Sequence, residues 1–430
     1  MIFKLLSKIK KITATDLVKV TSLTTLSTLI RMATSFVSVK VVAVLIGPSG
    51  VALLGQLYNF STMCLSISAG GTDKGMTKHI AQYSHSPRRY RLFLSTCFRL
   101  ITTLGFLCGL TIIIGADYFS RSLLKDIQYK PVFYIFGVTI VLYALNQSLL
   151  AIINGFREFK KYVTVNIAGS IIGLIFSIIL SAKFGVFGAL ISLVTYQSVT
   201  FIVTLSLVSK SDWFKKQNFL GPFSKTAAIR LSRYSLMAVV SAIVVPGAQL
   251  IVRNFIIEHE SIHQAGLWEG MNRISGNYLM LIISSLGVYY LPKLAGLKSD
   301  MEIRKEVITV FKVVIPFLLF ASLLIFVFRD LVIYILFDNK FLGMRDLFPF
   351  QLVGDIFKMG SWVLGYVLIA RAMTKTFIIV EILSCTFFVV FSALFVNMYG
   401  TIGATIGYAT GFFLHFLIML FVFRKLLFKL

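Results

Sequence analysis

Asp355 and Lys358 stand three residues apart in RDLFPFQLVGDIFKMGSWVLGYVLIA, residues 345–370, and Glu269 and Arg273 stand four apart in GLWEGMNRISGNYL, residues 266–279. At these spacings each pair shares one helix face. A carboxylate beside a cation can close an ion pair, exchange a proton or a small cation, or leave the cation to hold an oxyanion. Inside the apolar runs of the chain stand six basic residues, Arg31, Lys40, Arg99, Arg273, Lys312 and Lys358, against three carboxylates, Glu269, Asp355 and Glu381. The surplus is positive. It favours an anionic ligand, and the arginine fork suits phosphate oxygens because it donates two hydrogen bonds at once.

Two other stretches imitate enzyme motifs. HESIH at 259–263 fits H-E-x-x-H, in which two histidines one turn apart hold zinc and the glutamate acts as base. It falls in a short turn between apolar runs with no third ligand nearby, so no metal is expected. GGTDKGMTK at 70–78 lacks the lysine directly after the second glycine of a phosphate loop and follows a membrane helix where that motif needs a strand, so it reads as a helix end and polar turn. Cys64, Cys97, Cys108 and Cys385 all lie in apolar runs, which argues against disulfides and structural zinc. No catalytic residues and no cofactor are expected.

The elements that must position these charges are set by composition. Hydrophobic residues make up 57% of the chain, charged residues 14%, and the mean hydropathy is +0.87. These values describe an all-α polytopic membrane protein. Apolar segments lie near 21–46, 51–72, 92–115, 131–154, 162–182, 186–208, 234–256, 266–291, 307–336, 346–370, 376–397 and 401–423. That predicts twelve transmembrane helices. Loops on the side of the two termini carry twenty-eight Lys and Arg, the opposite side eight, counting Arg253 and Arg329 there. The bias predicts both termini in the cytoplasm. It also accounts for the net charge of +25, which belongs to topology and anionic membrane lipids and not to nucleic acid. Residues 1–20, with Lys4, Lys8 and Lys11 opposite Leu5, Ile9 and Ile12, read as an interfacial amphipathic helix.

The chain repeats itself at an offset of 215 residues. FGVFGALIS at 184–192 lies over YGTIGATIG at 399–407, Gly55 over Gly270, and Lys160 over Lys375. The repeat predicts two six-helix lobes related by an axis along the membrane normal, an arrangement of transporters that rock around a central cavity. The N-lobe would span 21–208, a cytoplasmic linker 209–233 and the C-lobe 234–430.

A charge at the bilayer centre costs roughly 2.5–3.5 kcal/mol, so these residues must meet water, one another or a ligand. Arg99 and Lys312 lie near cytoplasmic ends, where they can snorkel. Arg31 and Lys40 are nine residues apart, about 180° around one helix, and Arg31 is nearer mid-depth. Phe348, Gln351, Asp355, Lys358 and Trp362 follow one another along one helix side, and Gln56, Asn59 and Met63 along another. Such stripes line a pathway or join helices. Glu269, Asp355 and Glu381 either pair with the cations or exchange a coupling ion.

KVVAVLIGPSGVALLGQ at 40–56, GMTKHIAQYSHSP at 75–87 and the two stretches opening this section resemble the Wzx polysaccharide flippases, among them the enterobacterial lipid III flippase and related O-antigen translocases. The resemblance covers nearly the whole chain. It implies the fold of the multidrug/oligosaccharidyl-lipid/polysaccharide exporter superfamily in the bacterial inner membrane. It also implies transfer of undecaprenyl-pyrophosphate-linked oligosaccharide from the cytoplasmic to the periplasmic leaflet, with an O-antigen polymerase and chain-length regulator acting next. The family's charged positions would fall on Lys40, Glu269, Asp355 and Lys358. Where the related helix-eight motif has an Asp, this chain has Gly276 or Asn277. On this reading Arg31, Lys40, Arg273 and Lys358 hold the substrate anion, while Gln56, Asn59 and Trp362 meet sugar. Energy would come from the membrane potential or an H+ or Na+ gradient. The alternatives are a drug or cation exporter of the same superfamily, in which acidic residues would be expected to predominate, and a membrane glycan polymerase, which would need larger outward loops.

Overall fold

A bilayer core offers no water to backbone groups, so each apolar run must satisfy its own N–H and C=O groups, and helices do this within one segment. The computed structural model describes residues 2–83, 86–297 and 299–428, and no strand occurs among them. The first half contains α1 (Ile2–Ser68), α2 (Asp73–Tyr83), α3 (Pro87–Ile114), α4 (Ala116–Leu123), α5 (Lys130–Gly155), α6 (Phe159–Val208) and α7 (Lys216–Phe219). The second contains α8 (Lys225–His259), α9 (Ile262–Ser285), α10 (Leu291–Gly296), α11 (Asp300–Val327), α12 (Arg329–Leu336), α13 (Phe348–Ala370), α14 (Thr374–Tyr399), α15 (Thr401–Val422) and α16 (Arg424–Phe428). The amphipathic face expected over 1–20 lies outside the residues whose side chains are described.

Nine helical stretches among the described residues are long and apolar enough to cross a membrane. Two of them, Ser27–Tyr83 with 57 residues and Phe159–Val208 with 50, far exceed the roughly 20 residues that one crossing needs. Each contains a sharp backbone break, at Gly47 (φ 67°, ψ −177°) and at Gly185 (φ 57°, ψ −134°). The α9 helix is outside the nine because Glu269, Arg273 and its amides dilute the apolar run.

The sequence repeat reappears in the backbone. Gly400 adopts φ 61° and ψ −146°, close to Gly185, its partner at the 215-residue offset. These dihedrals are open essentially to glycine alone. Arg157 and Ala372, neither of them glycine, also have positive φ, 60° and 53°, and are separated by the same offset. A Cβ on Gly188 would fall 1.9 Å from the Leu180 carbonyl oxygen, and one on Gly403 would fall 2.0 Å from that of Phe395. Both hairpins therefore close on backbone contact at matching places.

The chain groups into two compact units. One comprises Met1–Val39, Cys64–Ser122 and Asp126–Leu236; the other comprises Lys40–Met63, Leu123–Lys125 and Met237–Leu430. The lobes expected at 21–208 and 234–430 divide the chain by its repeat, whereas these units divide it by contact. The first unit packs around Met76, Phe93, Cys97, Leu149 and Trp213. Trp213, beyond α6, stacks on Phe156 at 5.2 Å and donates its indole N–H to Glu158 at 3.2 Å, and the Ser224 amide donates to Thr96 Oγ1 at 3.0 Å. The second unit packs around Leu279, Tyr290, Val307, Leu318, Val363 and Val367. Its helices have explicit starts: Ser261 accepts from the Gln264 amide to cap α9, and Ser299 and Glu302 form a reciprocal capping box on α11.

Candidate functional site

The second unit gathers buried charge into two clusters. In the first, α8 supplies Arg253, α9 supplies Glu269 and Arg273, and the 40–63 part of α1 supplies Gln56 and Asn59. Arg253 is 1% exposed and its guanidinium donates to Glu269 Oε2 at 2.5 Å and to Gln56 Oε1 at 3.1 Å. With its oxygen toward the guanidinium, the Asn59 amide accepts from the same fork at 3.1 and 3.3 Å. Arg273 Nε donates to the other oxygen, Glu269 Oε1, at 3.1 Å. The pairing read from the four-residue spacing is therefore present, and a second arginine completes it.

Two cations share one carboxylate, so the cluster carries a net positive charge. A buried guanidinium is tolerable only with a counter-ion and filled hydrogen bonds. Glu269 supplies the counter-ion, the two amides accept from the terminal nitrogens, and the Trp268 ring 5.4 Å away adds a cation–π contact, while Arg253 Nε has no hydrogen-bond partner among the described residues. Close approach of α1 depends on Gly55, where a Cβ would lie 2.6 Å from Glu269 Cδ and 2.9 Å from Arg253 Cζ.

The second cluster is centred on α13. Asp355 is fully buried, and its Oδ2 accepts from Ser275 Oγ and Tyr278 OH, each at 2.7 Å, while Oδ1 accepts from Tyr408 OH at 2.8 Å. Ser275 and Tyr278 come from α9 and Tyr408 from α15, so one carboxylate ties three helices. Lys358, one turn along α13, makes no direct ion pair with Asp355 among the described residues. Its ammonium is placed among three rings instead, 5.5 Å from Trp362, 5.4 Å from Tyr408 and 5.3 Å from Phe412. Tyr408 thus serves both charges, its hydroxyl the acid and its ring the base. Glu381, half-buried on α14, lies within electrostatic reach of Lys358. Gln351, one turn before Asp355, is 1% exposed, and among the described residues neither the oxygen nor the nitrogen of its amide has a partner.

The other expected residues are placed as follows. Trp362 joins Lys358, whereas Gln56 and Asn59 face Arg253. Lys40 donates to the carbonyl oxygens of Tyr334, at 2.7 Å, and Phe337, closing the C-terminal end of α12, where a cation complements the helix dipole. Arg31 belongs to the first unit, exposed on α1.

The zinc-like motif is split by structure. His259 is the last residue of α8 and stacks on Phe255, while His263 is in the first turn of α9. The motif needs both histidines on one continuous helix. Among the described residues no three His, Cys, Asp or Glu side chains are arranged to hold a metal.

Arg253 escaped the sequence reading because it was counted as an outward-loop charge. A hairpin register would have found it. Arg253 precedes the turn at 260–261 by about two helical turns, and Glu269 follows it by about the same, which sets the two side chains at one level on adjacent helices.

Residues 17–297 match the family described as polysaccharide biosynthesis protein. Over 401 residues the chain is 29% identical to proteins named lipid III flippase in Escherichia coli (strain K12) and in Shigella flexneri, covering 93% of this chain and 96% of each of those. Among solved structures, the inward-facing conformation of a multidrug resistance MATE family transporter of the MOP superfamily has a TM-score of 0.76 at 15% identity, covering 93% of this chain and 94% of that one. A MATE structure in a straight conformation has a TM-score of 0.67 at 14% identity, with 93% and 95% covered. These likenesses bear out the all-helical membrane fold expected of the sequence.

Proposed function

The chain belongs to the polysaccharide biosynthesis protein family, and we propose that it is a flippase for polyprenyl-pyrophosphate-linked oligosaccharide. The observation that carries this reading is the likeness to lipid III flippases along nearly the whole length of both chains. The net positive cluster of Arg253, Glu269 and Arg273 supports it, because a pyrophosphate headgroup needs cations while the attached sugar needs polar and aromatic surface. The protein acts as a transporter, with no catalytic residue and no bound cofactor.

In this reading Arg273 and Lys358 meet the phosphates and Trp362 meets sugar, and Arg31 is a further cation offered to the substrate. Lys40, committed to the end of α12, contributes its charge indirectly. The substrate is an undecaprenyl-linked unit of an O-antigen or a related surface glycan. It crosses from the cytoplasmic to the periplasmic leaflet of the bacterial inner membrane by alternating access. Twelve crossings are counted when α1 and α6 are each divided at their glycine breaks and α9 is included, which supports two lobes of six, and the Lys and Arg bias supports both termini in the cytoplasm. An anion leaving a negative cytoplasm gains about 2.3 kcal/mol per elementary charge per 100 mV. The potential is the main driving force, and Asp355, Glu269 or Glu381 exchanges H+ or Na+ to reset the empty carrier. A polymerase and a chain-length regulator receive the product.

The test is leaflet translocation of a short-chain, fluorescent polyprenyl-pyrophosphate oligosaccharide in proteoliposomes. Protein-dependent transport that quickens with an imposed potential and fails in Arg273→Met supports the reading. Folded wild-type protein that moves none of it, under either ion gradient and with a potential, refutes it.

A further inference from the structure

Glu269 divides its two oxygens between two arginines, and this division decides what Arg273 has left to offer. Facing a single arginine, a carboxylate tends to take the whole fork, two parallel N–H···O bonds that use both oxygens and cancel the charge. Here Oε2 is taken by Arg253, so Arg273 is held by Nε alone at Oε1. Among the described residues neither terminal nitrogen of Arg273 has a partner. Its side chain is 26% exposed, whereas those of Arg253 and Glu269 are 1% and 8% exposed.

We infer that Arg253 is a positioning residue for oxyanion binding: by occupying one oxygen of Glu269 and neutralising it, Arg253 leaves the terminal fork of Arg273 cationic and free for a phosphate group of the substrate. Gln56 and Asn59 then belong to this support, because they hold the Arg253 fork in place and do not point to sugar. Gly55 belongs to it as well, since any side chain there would push into the shared carboxylate. The inference rests on the reading of the substrate as a pyrophosphate-bearing lipid.

It is tested with the full chain in nanodiscs and farnesyl pyrophosphate as the probe, with farnesol as the uncharged control. Arg253→Met leaves Glu269 and Arg273 to cancel each other, and affinity falls about tenfold or more, the scale of one charge-assisted hydrogen bond. Arg253→Lys keeps the charge and loses the fork, and affinity stays within about threefold of wild type. The double variant Arg253→Met/Glu269→Gln removes both buried charges and keeps Arg273 cationic, so affinity returns to within about threefold. Arg273→Met abolishes the preference for farnesyl pyrophosphate over farnesol in both the wild-type and double-variant backgrounds.

A merely structural Arg253 gives a different pattern, in which the double variant binds no better than Arg253→Met and affinity follows unfolding temperature. Either Arg253→Lys or the double variant, folded yet more than about tenfold weaker, overturns the inference even where Arg253→Met cannot be purified. Wild-type protein with no preference for farnesyl pyrophosphate over farnesol sinks the substrate reading itself, and the inference with it.

Discussion

Replacing Asp355 by leucine puts a larger, apolar side chain at a buried position on α13 and withdraws the acceptor for Ser275, Tyr278 and Tyr408 together. Each of these hydroxyls donates at 2.7 or 2.8 Å to a carboxylate with no exposure to solvent. Hydrogen bonds to a charged acceptor contribute about 1.5–3 kcal/mol each in soluble proteins, and side-chain bonds between membrane helices average about 0.6. For three of them the expected loss is about 2–9 kcal/mol, at the upper end if the stranded hydroxyls find no water. Asparagine behaves differently. Its oxygen can still accept from Ser275 and Tyr278, and its amide can donate to a rotated Tyr408 hydroxyl, so the expected loss is only about 1–2 kcal/mol. Equilibrium unfolding in mixed micelles measures both. If Asp355→Leu and Asp355→Asn unfold within about 0.5 kcal/mol of each other, the three-hydroxyl cage contributes nothing to holding α9, α13 and α15 together, and the reasoning fails.

Further outcomes follow from other contacts. Gly55→Ala should destabilise by about 1–3 kcal/mol through overpacking against Glu269 and Arg253, and by less in the Arg253→Met/Glu269→Gln background, as read by the same unfolding assay. Gly188→Ala and Gly403→Ala should lower the unfolding temperature by similar amounts, since each places a methyl group about 2 Å from a carbonyl oxygen at matching points of the repeat. Lys40→Met should speed hydrogen exchange around 334–340, where two carbonyls lose their donor, and leave exchange in α5 unchanged. In a cysteine-free background, a cysteine at Asp212 should react with membrane-impermeant maleimide only from the cytoplasm and one at Glu260 only from the periplasm; the reverse pattern would overturn the expected orientation.

The helical class and the repeat were legible because both are properties of one-dimensional pattern. Apolar runs report spans, and a glycine needed for a steep break recurs at the same offset, as Gly185 and Gly400 do. Arg157 and Ala372 share a left-handed backbone without sharing a residue type, so no comparison of letters could align them. The Glu269–Arg273 contact was legible because one helix provides both partners. Asp355 was legible as a buried charge but not through its partners, since Ser275, Tyr278 and Tyr408 come from other helices and are ordinary residues in their own segments. Lys358 shows the limit of spacing: it shares a face with Asp355, yet three aromatic rings surround its ammonium without a direct ion pair. The partners of Arg253 and Lys40, Glu269 for one and the Tyr334 and Phe337 carbonyls for the other, were not legible, because depth along a helix does not say which neighbour a long side chain reaches.

The anchoring of Trp213 has a practical side. The segment after α6 contains Lys210, Lys215 and Lys216, an inviting target for trypsin, yet the indole stacked on Phe156, the bond to Glu158 and the Ser224 bond to Thr96 fasten it to the first unit. Cleavage there should be slow in the folded protein and fast once the unit opens, which makes digestion a gauge of local integrity. A gene divided for co-expression as two fragments should accordingly leave everything through Leu236 with the first fragment. A cut before Trp213 would remove an aromatic wall of that unit's core, and one before Leu231 would remove another buried member of it.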